Sequence, residues 1–352
     1  MRAQGHQIFA DELAQFAAGG TDARVSEIAE RVATPLRVTV RGRPGAGRGT
    51  VARALAAAGR PAGLSVAPAG GADVVVYVIT EVVKLEDADE IAVLASSLAP
   101  VLVVLNKADL CGFAGDGPIT AAQARCRQFA AHLGAAVEPM IGLLAVTALD
   151  DQLDDDLWAA LHALASCPGG SVSLDGSFDG FLGANNPVPT DARLRLLDAL
   201  DLFGTALAVA AVQQRNGPAQ LRALLRRVSC VDGVVDRIVA LGAETRYQRV
   251  LDAVAELEAL AVSGDQAGER VSEFLSRDDT VIARMAAAVD LAEALGLPVG
   301  VRDDPAGHLP RAVRWQQFSL GKLGSVSDMH RACGADIARG SLRLWSRAGG
   351  TL

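Results

Sequence analysis

Apolar residues follow two rhythms along this chain. Between about residues 36 and 146 they come in short unbroken runs, and elsewhere they recur every three or four positions. Val101-Leu102-Val103-Val104-Leu105 and the run Val74–Ile79 after Asp73 are continuous and bounded by polar turns, the pattern of strands buried on both faces of a parallel sheet. Leu36-Arg37-Val38-Thr39-Val40 alternates as a strand, Leu64–Gly71 reads as a further strand and loop, and another strand is predicted around Met140–Val146. Helical spacing falls between them, over residues 86–98, 120–133 and 157–165.

Before the first strand, 7–18 and 22–33 read as amphipathic helices, broken by Gly19-Gly20, with Thr21 or Asp22 placed to cap the second. After residue 190 every periodic segment is helical: 190–213, 217–228, 230–262, 266–276, 279–296 and 325–347. The predicted organisation is N-terminal helices over 1–34 that pack with the helical domain, an α/β domain over 35–167, a linker over 168–189 and a helical domain over 190–352. The expected fold class is α/β, a mostly parallel sheet with helices on both faces, joined to an all-α bundle.

Composition narrows the possible partners. The 352 residues carry a formal net charge of −8, which argues against a nucleic-acid binder. Five cysteines form no CxxC pair, as expected of free thiols in a reducing cytoplasm. Gln4, His6, Asp11 and Glu12 interrupt the N-terminus where a signal peptide would be apolar, and Leu202–Val212 is too short to span a bilayer. A cytoplasmic protein is expected, with peripheral membrane contact left open by a cationic end that holds Arg302, Arg311, Arg314, Lys322, Arg331, Arg339, Arg343, Arg347, Trp315 and Trp345. That end would meet an anionic surface or partner, or dock back on the acidic α/β domain, which is the preferred reading. His330, Cys333 and Asp336 share a helical face, but no further residue closes a metal site around them.

Candidate chemistry lies at two strand ends. The first strand runs into Gly42-Arg43-Pro44-Gly45-Ala46-Gly47-Arg48-Gly49-Thr50 and then an Ala-rich helix. A strand, glycine-rich turn and helix bring backbone N–H groups and a positive helix end to phosphate oxygens. The buried strand Val101–Leu105 ends in Asn106-Lys107-Ala108-Asp109. This tetrapeptide resembles the base-recognition motif of P-loop GTPases, which implies that a carboxylate at Asp109 would accept two hydrogen bonds from the ring N–H and exocyclic amine of guanine, an edge adenine lacks. Only three of the 33 basic residues are Lys, so Lys107 is not background. Its stem would lie along a base, and the Asn106 side chain would tie this loop to the phosphate loop.

Asn-Lys-x-Asp in this position resembles the base-recognition motif of P-loop GTPases, and Gly42 and Gly47 have the spacing of their phosphate loop. The element order from Leu36 to Cys167, about 130 residues, resembles the translation-factor and dynamin branch of that class, minus a strand. Arg48 replaces the phosphate-reaching lysine, Gly49 stands where the Mg²⁺-binding hydroxyl belongs, and Thr50 comes one residue late. Between Val51 and Ala72 there is no Asp, Glu or Thr, so the switch threonine and the Asp-x-x-Gly aspartate are missing, with Ala67 or Ala69 in the aspartate's place. Glu81 is the only nearby substitute carboxylate.

The resemblance implies phosphate contacts from Gly42, Gly45, Gly47, Arg48, Gly49 and Thr50. It implies guanine contacts from Asn106, Lys107, Asp109 and a Thr147-Ala148 loop, and leaves Mg²⁺ to Thr50 and Glu81. The expected function is GTP or GDP binding with weak or absent hydrolysis, acting on a protein partner or a second copy through the helical domain. The alternatives are a pseudo-GTPase scaffold that binds no nucleotide, and a membrane-associated dynamin-like GTPase.

Overall fold

The computed structural model describes residues 5–20, 22–67, 70–112, 117–150, 153–167, 177–263, 265–300, 304–324 and 327–350. The chain divides into two compact units, one of residues 37–238 and one of residues 1–36 with 239–352.

The first unit is built on a five-stranded, all-parallel sheet. Its strands are β1 (Leu36–Gly42), β2 (Leu64–Val66), β3 (Val74–Thr80), β4 (Val101–Asn106) and β5 (Ala136–Met140), in the order β2-β1-β3-β4-β5. Every residue of β4, and all of β3 except Thr80, is buried, as their unbroken apolar runs require. On one face Tyr77, Val103 and Leu105 pack with Ile91 and Cys126. On the other Val74, Val76, Val78, Leu102 and Val104 are equally inaccessible. The chain leaves β1 toward β2 and returns to β3 on β1's other side. The carboxyl ends of β1 and β3 therefore flank a topological switch point, where open α/β sheets hold ligands. The α/β class with added helices is thus observed, and the sheet is wholly rather than mostly parallel.

The helices of this unit are α3 (Arg48–Gly59), α4 (Leu85–Ala95), α5 (Pro118–Leu133), α6 (Gly142–Leu149), α7 (Asp155–Ser166), α8 (Phe178–Gly183), α9 (Thr190–Gln213), α10 (Pro218–Val228) and α11 (Val231–Leu241). Two expectations need correction. The strand placed at Met140–Val146 ends at Met140, and Gly142–Leu149 is helix. An apolar run of that length satisfies either element, and the core decides, since Leu144 joins Leu157, Leu161, Leu196 and Leu200 in one cluster. The helical domain also does not begin at 190. α9 and α10 share that core with α6 and α7, and Gly204 lets α9 approach so closely that a Cβ there would lie 2.4 Å from Leu144 Cδ2. Of the expected linker 168–189, residues 168–176 lie outside the described residues, and 178–183 are helical. α9 is long and apolar enough to cross a membrane, yet 56% of that window is buried in the protein.

The second unit gathers α1 (Gly5–Ala18) and α2 (Ala23–Ala33) with α12 (Ala243–Ala261), α13 (Gln266–Ser276), α14 (Asp278–Ala294), α15 (His308–Ser319) and α16 (Asp328–Arg347). α1 packs on α14, α2 on α12, and α14 on α16, around Phe9, Leu13, Tyr247, Leu257, Phe274 and Ile337. The single helix read over 230–262 is two, broken at Gly242, where a Cβ would stand 2.3 Å from Leu36 Cδ1. α15 was missed because Arg311, Arg314 and Trp315 were read as a surface tail. Trp315 is only 2% exposed, Arg311 Nε donates to Ser341 Oγ at 2.8 Å, and Arg343 and Arg347 pair with Asp278 at 3.3 and 3.2 Å. These cations are engaged within their own unit; Arg302 lies outside the described residues.

Asp336 is buried and accepts from Tyr247 Oη at 2.8 Å, Arg284 Nη2 at 3.0 Å and Arg339 Nη2 at 2.9 Å. Cys333 Sγ donates to the Ala288 carbonyl at 3.2 Å. Both groups are thereby spent on the fold.

His6, on α1, is buried with Nε2 3.0 Å from the Val32 carbonyl, and burial, reinforced by Arg246, lowers its pKa to about 4. The folded unit therefore favours neutral His6, and the unfolded chain takes up the proton first as pH falls below about 6.5. Urea unfolding of this unit should lose about 2 kcal/mol between pH 7 and pH 5 from this residue. A His6→Gln variant, measured at both pH values, should show a correspondingly smaller loss.

Candidate functional site

The carboxyl ends of β1, β3, β4 and β5 carry the site. Thr80, Asn106 and Met140 lie side by side in the register β3–β4–β5, while Gly42 pairs with Val78 one strand over. Gly42 has φ 129°, and a Cβ there would meet the Val78 carbonyl oxygen at 2.3 Å, so the strand can turn out of the sheet only with glycine. The glycine-rich segment then folds through Gly45 and Gly47, both with φ 84°. Gly47 is the N-cap of α3, and a Cβ on it would lie 2.3 Å from Asn106 Nδ2. Arg48, Gly49 and Thr50 form the first turn of α3, whose leading N–H groups have no partner within the helix. Gly49 faces open space. Among the described residues nothing hydrogen-bonds or pairs with the exposed Arg48 side chain.

Asn106 joins the two sequence motifs. Buried at 3% exposure, its Nδ2 donates to the Ala46 carbonyl at 2.9 Å, and its Oδ1 accepts from the Gly142 N–H at 3.0 Å. One side chain thus ties the glycine-rich loop, the end of β4 and the start of α6 together. Lys107 follows in the left-handed region (φ 56°) and is exposed. This turn sends the chain into a short 3₁₀ helix, Ala108–Cys111, and buries Asp109 at 7% exposure. No other side chain hydrogen-bonds or pairs with the Asp109 carboxylate among the described residues. Burial raises its pKa, its own backbone N–H opposes the rise, Asp201 adds to it and Lys107 opposes it.

The remaining expected residues are placed differently. Thr147 and Ala148 lie inside α6 rather than in a loop. The Thr147 side chain is fully buried and its hydroxyl donates to the Ala199 carbonyl. The turn that follows β5 is Ile141-Gly142, so Gly142 is the residue that sequence reasoning missed at this strand end. A Cβ on it would lie 3.0 Å from Asn106 Oδ1 and 3.4 Å from the Thr50 methyl. Thr50 thus faces the β5 side of the loop. Glu81 stands exposed just past β3 with φ 52°, its carbonyl accepting from Arg125 at 3.2 Å. Among the described residues no group of three or more His, Cys, Asp or Glu side chains is arranged to hold a metal ion. Of the two residues expected in the place of an aspartate, Ala67 is described and Ala69 lies outside the described residues.

A second anchor was also missed. Arg43, inside the glycine-rich loop, donates through Nε to Asp87 Oδ1 at 2.7 Å. Asp87, on α4, is fully buried and also accepts from the Lys84 N–H at 3.0 Å, with Tyr77 Oη 3.1 Å away. Tyr77 Oη lies 3.0 Å from Glu90 Oε2 as well. Burial pushes the Asp87 carboxyl up, but Arg43, the Lys84 N–H and Tyr77 together hold it below the usual range. A surface cleft of about 410 Å³ lies elsewhere, in the helical unit, where Glu12, Glu273 and Asp279 face Arg270 and Arg277. Its charges oppose one another and converge on nothing.

Compared with protein-family models, curated proteins and solved structures, the chain matches none.

Removing the Asp87 carboxylate strands three donors in a buried site. Asp87→Ala should cost about 2–4 kcal/mol in chemical unfolding at pH 7. Because the folded pKa is depressed, this contribution is present above about pH 4 and fades as pH falls through the folded value. The gap between wild type and variant should therefore narrow in acid.

Proposed function

We propose that the chain is a guanine-nucleotide-binding protein of the P-loop GTPase kind, with little or no hydrolysis. The observation that carries this reading is the Asn106 bridge between the Ala46 carbonyl and the Gly142 N–H. It ties the glycine-rich backbone loop to the strand end that, three residues later, carries the buried carboxylate of Asp109. Gly42, Gly45, Gly47, Arg48, Gly49 and Thr50 hold phosphates through backbone N–H groups, the α3 dipole and the Arg48 guanidinium. Asp109 reads guanine and Lys107 covers the base. Thr147 and Ala148 are left out of the base contacts, and the Ile141-Gly142 turn takes the place intended for them.

The sheet order supports this reading without selecting it, since other doubly wound folds share the order 2-1-3-4-5. Hydrolysis needs a metal across the β- and γ-phosphates and an oriented water. Gly49 offers no hydroxyl, and Thr50 turns its methyl toward Gly142. Binding should accordingly depend little on Mg²⁺. A protein partner or a second copy, and a cytoplasmic setting, complete the proposal.

A scaffold that binds no nucleotide is favoured by one observation. Val82, Leu85, Val93 and Leu98, on and around α4, are 54%, 83%, 70% and 105% exposed, apolar side chains open to a partner.

Titration of nucleotide-stripped protein with labelled GDP, GTP and ATP, with and without Mg²⁺, separates the two. Guanine-selective binding should appear, fall about 100-fold in Asp109→Ala and weaken for all nucleotides in Arg48→Ala. An absence of binding to any nucleotide would leave the scaffold. Asp109→Asn should also raise the unfolding temperature of the empty protein by about 2–4 °C, because it removes a buried charge whose desolvation outweighs what opposes it. A lower unfolding temperature would show that the carboxylate is structural.

A further inference from the structure

Arg43-Pro44-Gly45-Ala46 form one closed turn inside the glycine-rich segment. The Ala46 N–H donates to the Arg43 carbonyl at 3.3 Å, Pro44 holds the second position, and Gly45 has φ 84° at the third, the pattern of a type II turn. Side chains from two other segments grip the two ends of that turn. At its last residue, the Ala46 carbonyl accepts from Asn106 Nδ2 at 2.9 Å. At its first, Arg43 Nε donates to Asp87 Oδ1 at 2.7 Å, across 44 residues of chain. The turn then leads through Gly47 into α3.

Asp87 also has a local task. Its Oδ2 accepts from the N–H of Lys84, the N-cap of α4, at 3.0 Å, which closes the first turn of that helix. A neutral amide, with its one acceptor oxygen, would serve that cap as well. The second carboxylate oxygen is the one that reaches Arg43, and it does so from a fully buried position. A buried carboxylate is costly unless donors meet it, so the charge at Asp87 makes sense only with the Arg43 guanidinium in place. Arg43 in turn has its Nε committed to α4, whereas Arg48, four residues after Pro44, has no partner among the described residues.

We propose that Asp87 is a positioning residue for the phosphate loop: through Arg43 it fixes the first corner of the turn, as Asn106 fixes the last, and Arg48 rather than Arg43 is the cation that meets phosphate. The inference rests on the nucleotide reading and deepens it. A turn held at both ends presents its backbone in one arrangement, so phosphate binds without an ordering cost. The base is read from a different segment, at Asp109. Asp87 therefore acts on the phosphate part of the ligand and not on the base.

The test compares GDP with guanosine, which has the base and no phosphate, on wild type, Arg43→Met, Asp87→Asn, the double variant and Arg43→Lys. Asp87→Asn keeps an acceptor for the Lys84 N–H and removes the one for Arg43. GDP binding should fall about tenfold in each of Arg43→Met and Asp87→Asn with guanosine binding unchanged, and the double variant should lose no more than either. Arg43→Lys keeps a cation for Asp87 and should restore most of the GDP affinity. Unfolding temperature supplies the structural control. Arg43→Met strands the buried carboxylate and should unfold at a lower temperature than wild type. The double variant has no charge left to strand, so it should regain stability without regaining GDP affinity. If GDP affinity returns with stability, or guanosine weakens in step with GDP, Asp87 is structural only, although the nucleotide reading stands. If Arg43→Met loses GDP affinity and Asp87→Asn keeps or gains it, Arg43 is itself the phosphate contact and the proposal is wrong. If wild type binds neither ligand, the nucleotide reading fails and this inference with it.

Discussion

The Asn106 amide is the constraint on which the rest of the site depends. A buried primary amide has to satisfy both its carbonyl and its N–H groups, and here it does so with two backbone groups from other segments, Ala46 and Gly142. Those partners dictate residues around them. Gly47 has to lack a Cβ because Nδ2 occupies that space, and Gly142 has almost no room for one beside Oδ1. The left-handed turns at Gly45, Gly47 and Lys107 are then the backbone paths that bring three segments to one side chain. Replacing Asn106 by Asp would exchange a donor for an acceptor opposite a carbonyl, and so would disturb the glycine-rich loop as much as the strand end.

Which parts were legible follows from which signals are local. The strands β3 and β4 are continuous apolar runs, and a residue buried on both faces leaves that mark directly in sequence. Asn106, Gly42 and Gly47 were legible for a related reason, since their chemistry is tied to short-range backbone geometry. Ile141–Val146 was misread because an apolar run carries no period, and only packing against Leu157 and Leu200 decides that it is helix. The break in α9 left no trace, because Asp201, with φ 60°, stands where glycine would have announced it. Arg43–Asp87 was equally silent, since a contact spanning 44 residues is written in neither segment alone. The division near residue 238 was hidden for the same reason: helices that belong to different cores look alike along the chain.

Asp109 and Asp87 show how identical side chains acquire opposite tasks. Both are buried carboxylates. Asp87 is met by a guanidinium and a backbone N–H, which outweigh desolvation and hold it ionised. At Asp109 only its own backbone N–H and Lys107 oppose desolvation, and desolvation dominates. A buried charge without donors costs stability unless something else provides them. The first arrangement completes itself within the fold, while no other side chain among the described residues completes the second. That contrast, rather than the tetrapeptide around Asp109, is the stronger physical argument for a ligand at this strand end.

The two anchors of the glycine-rich loop bear on mechanism. Asn106 holds it from the β4 side and Arg43 holds it to α4 through Asp87, an ion pair between a largely shielded guanidinium and a fully buried carboxylate. A switch needs an element with two arrangements of similar free energy, and a ligand that prefers one of them. Here the segment that would carry the switch threonine and the metal-binding aspartate has neither, and the loop beside it is fastened at both ends. A preorganised loop loses little freedom on binding phosphate, so affinity comes at low conformational cost and with little motion to transmit. On the nucleotide reading, the ligand of this protein would then act as a built-in structural element, and any signal would have to travel through the base side rather than through the phosphates.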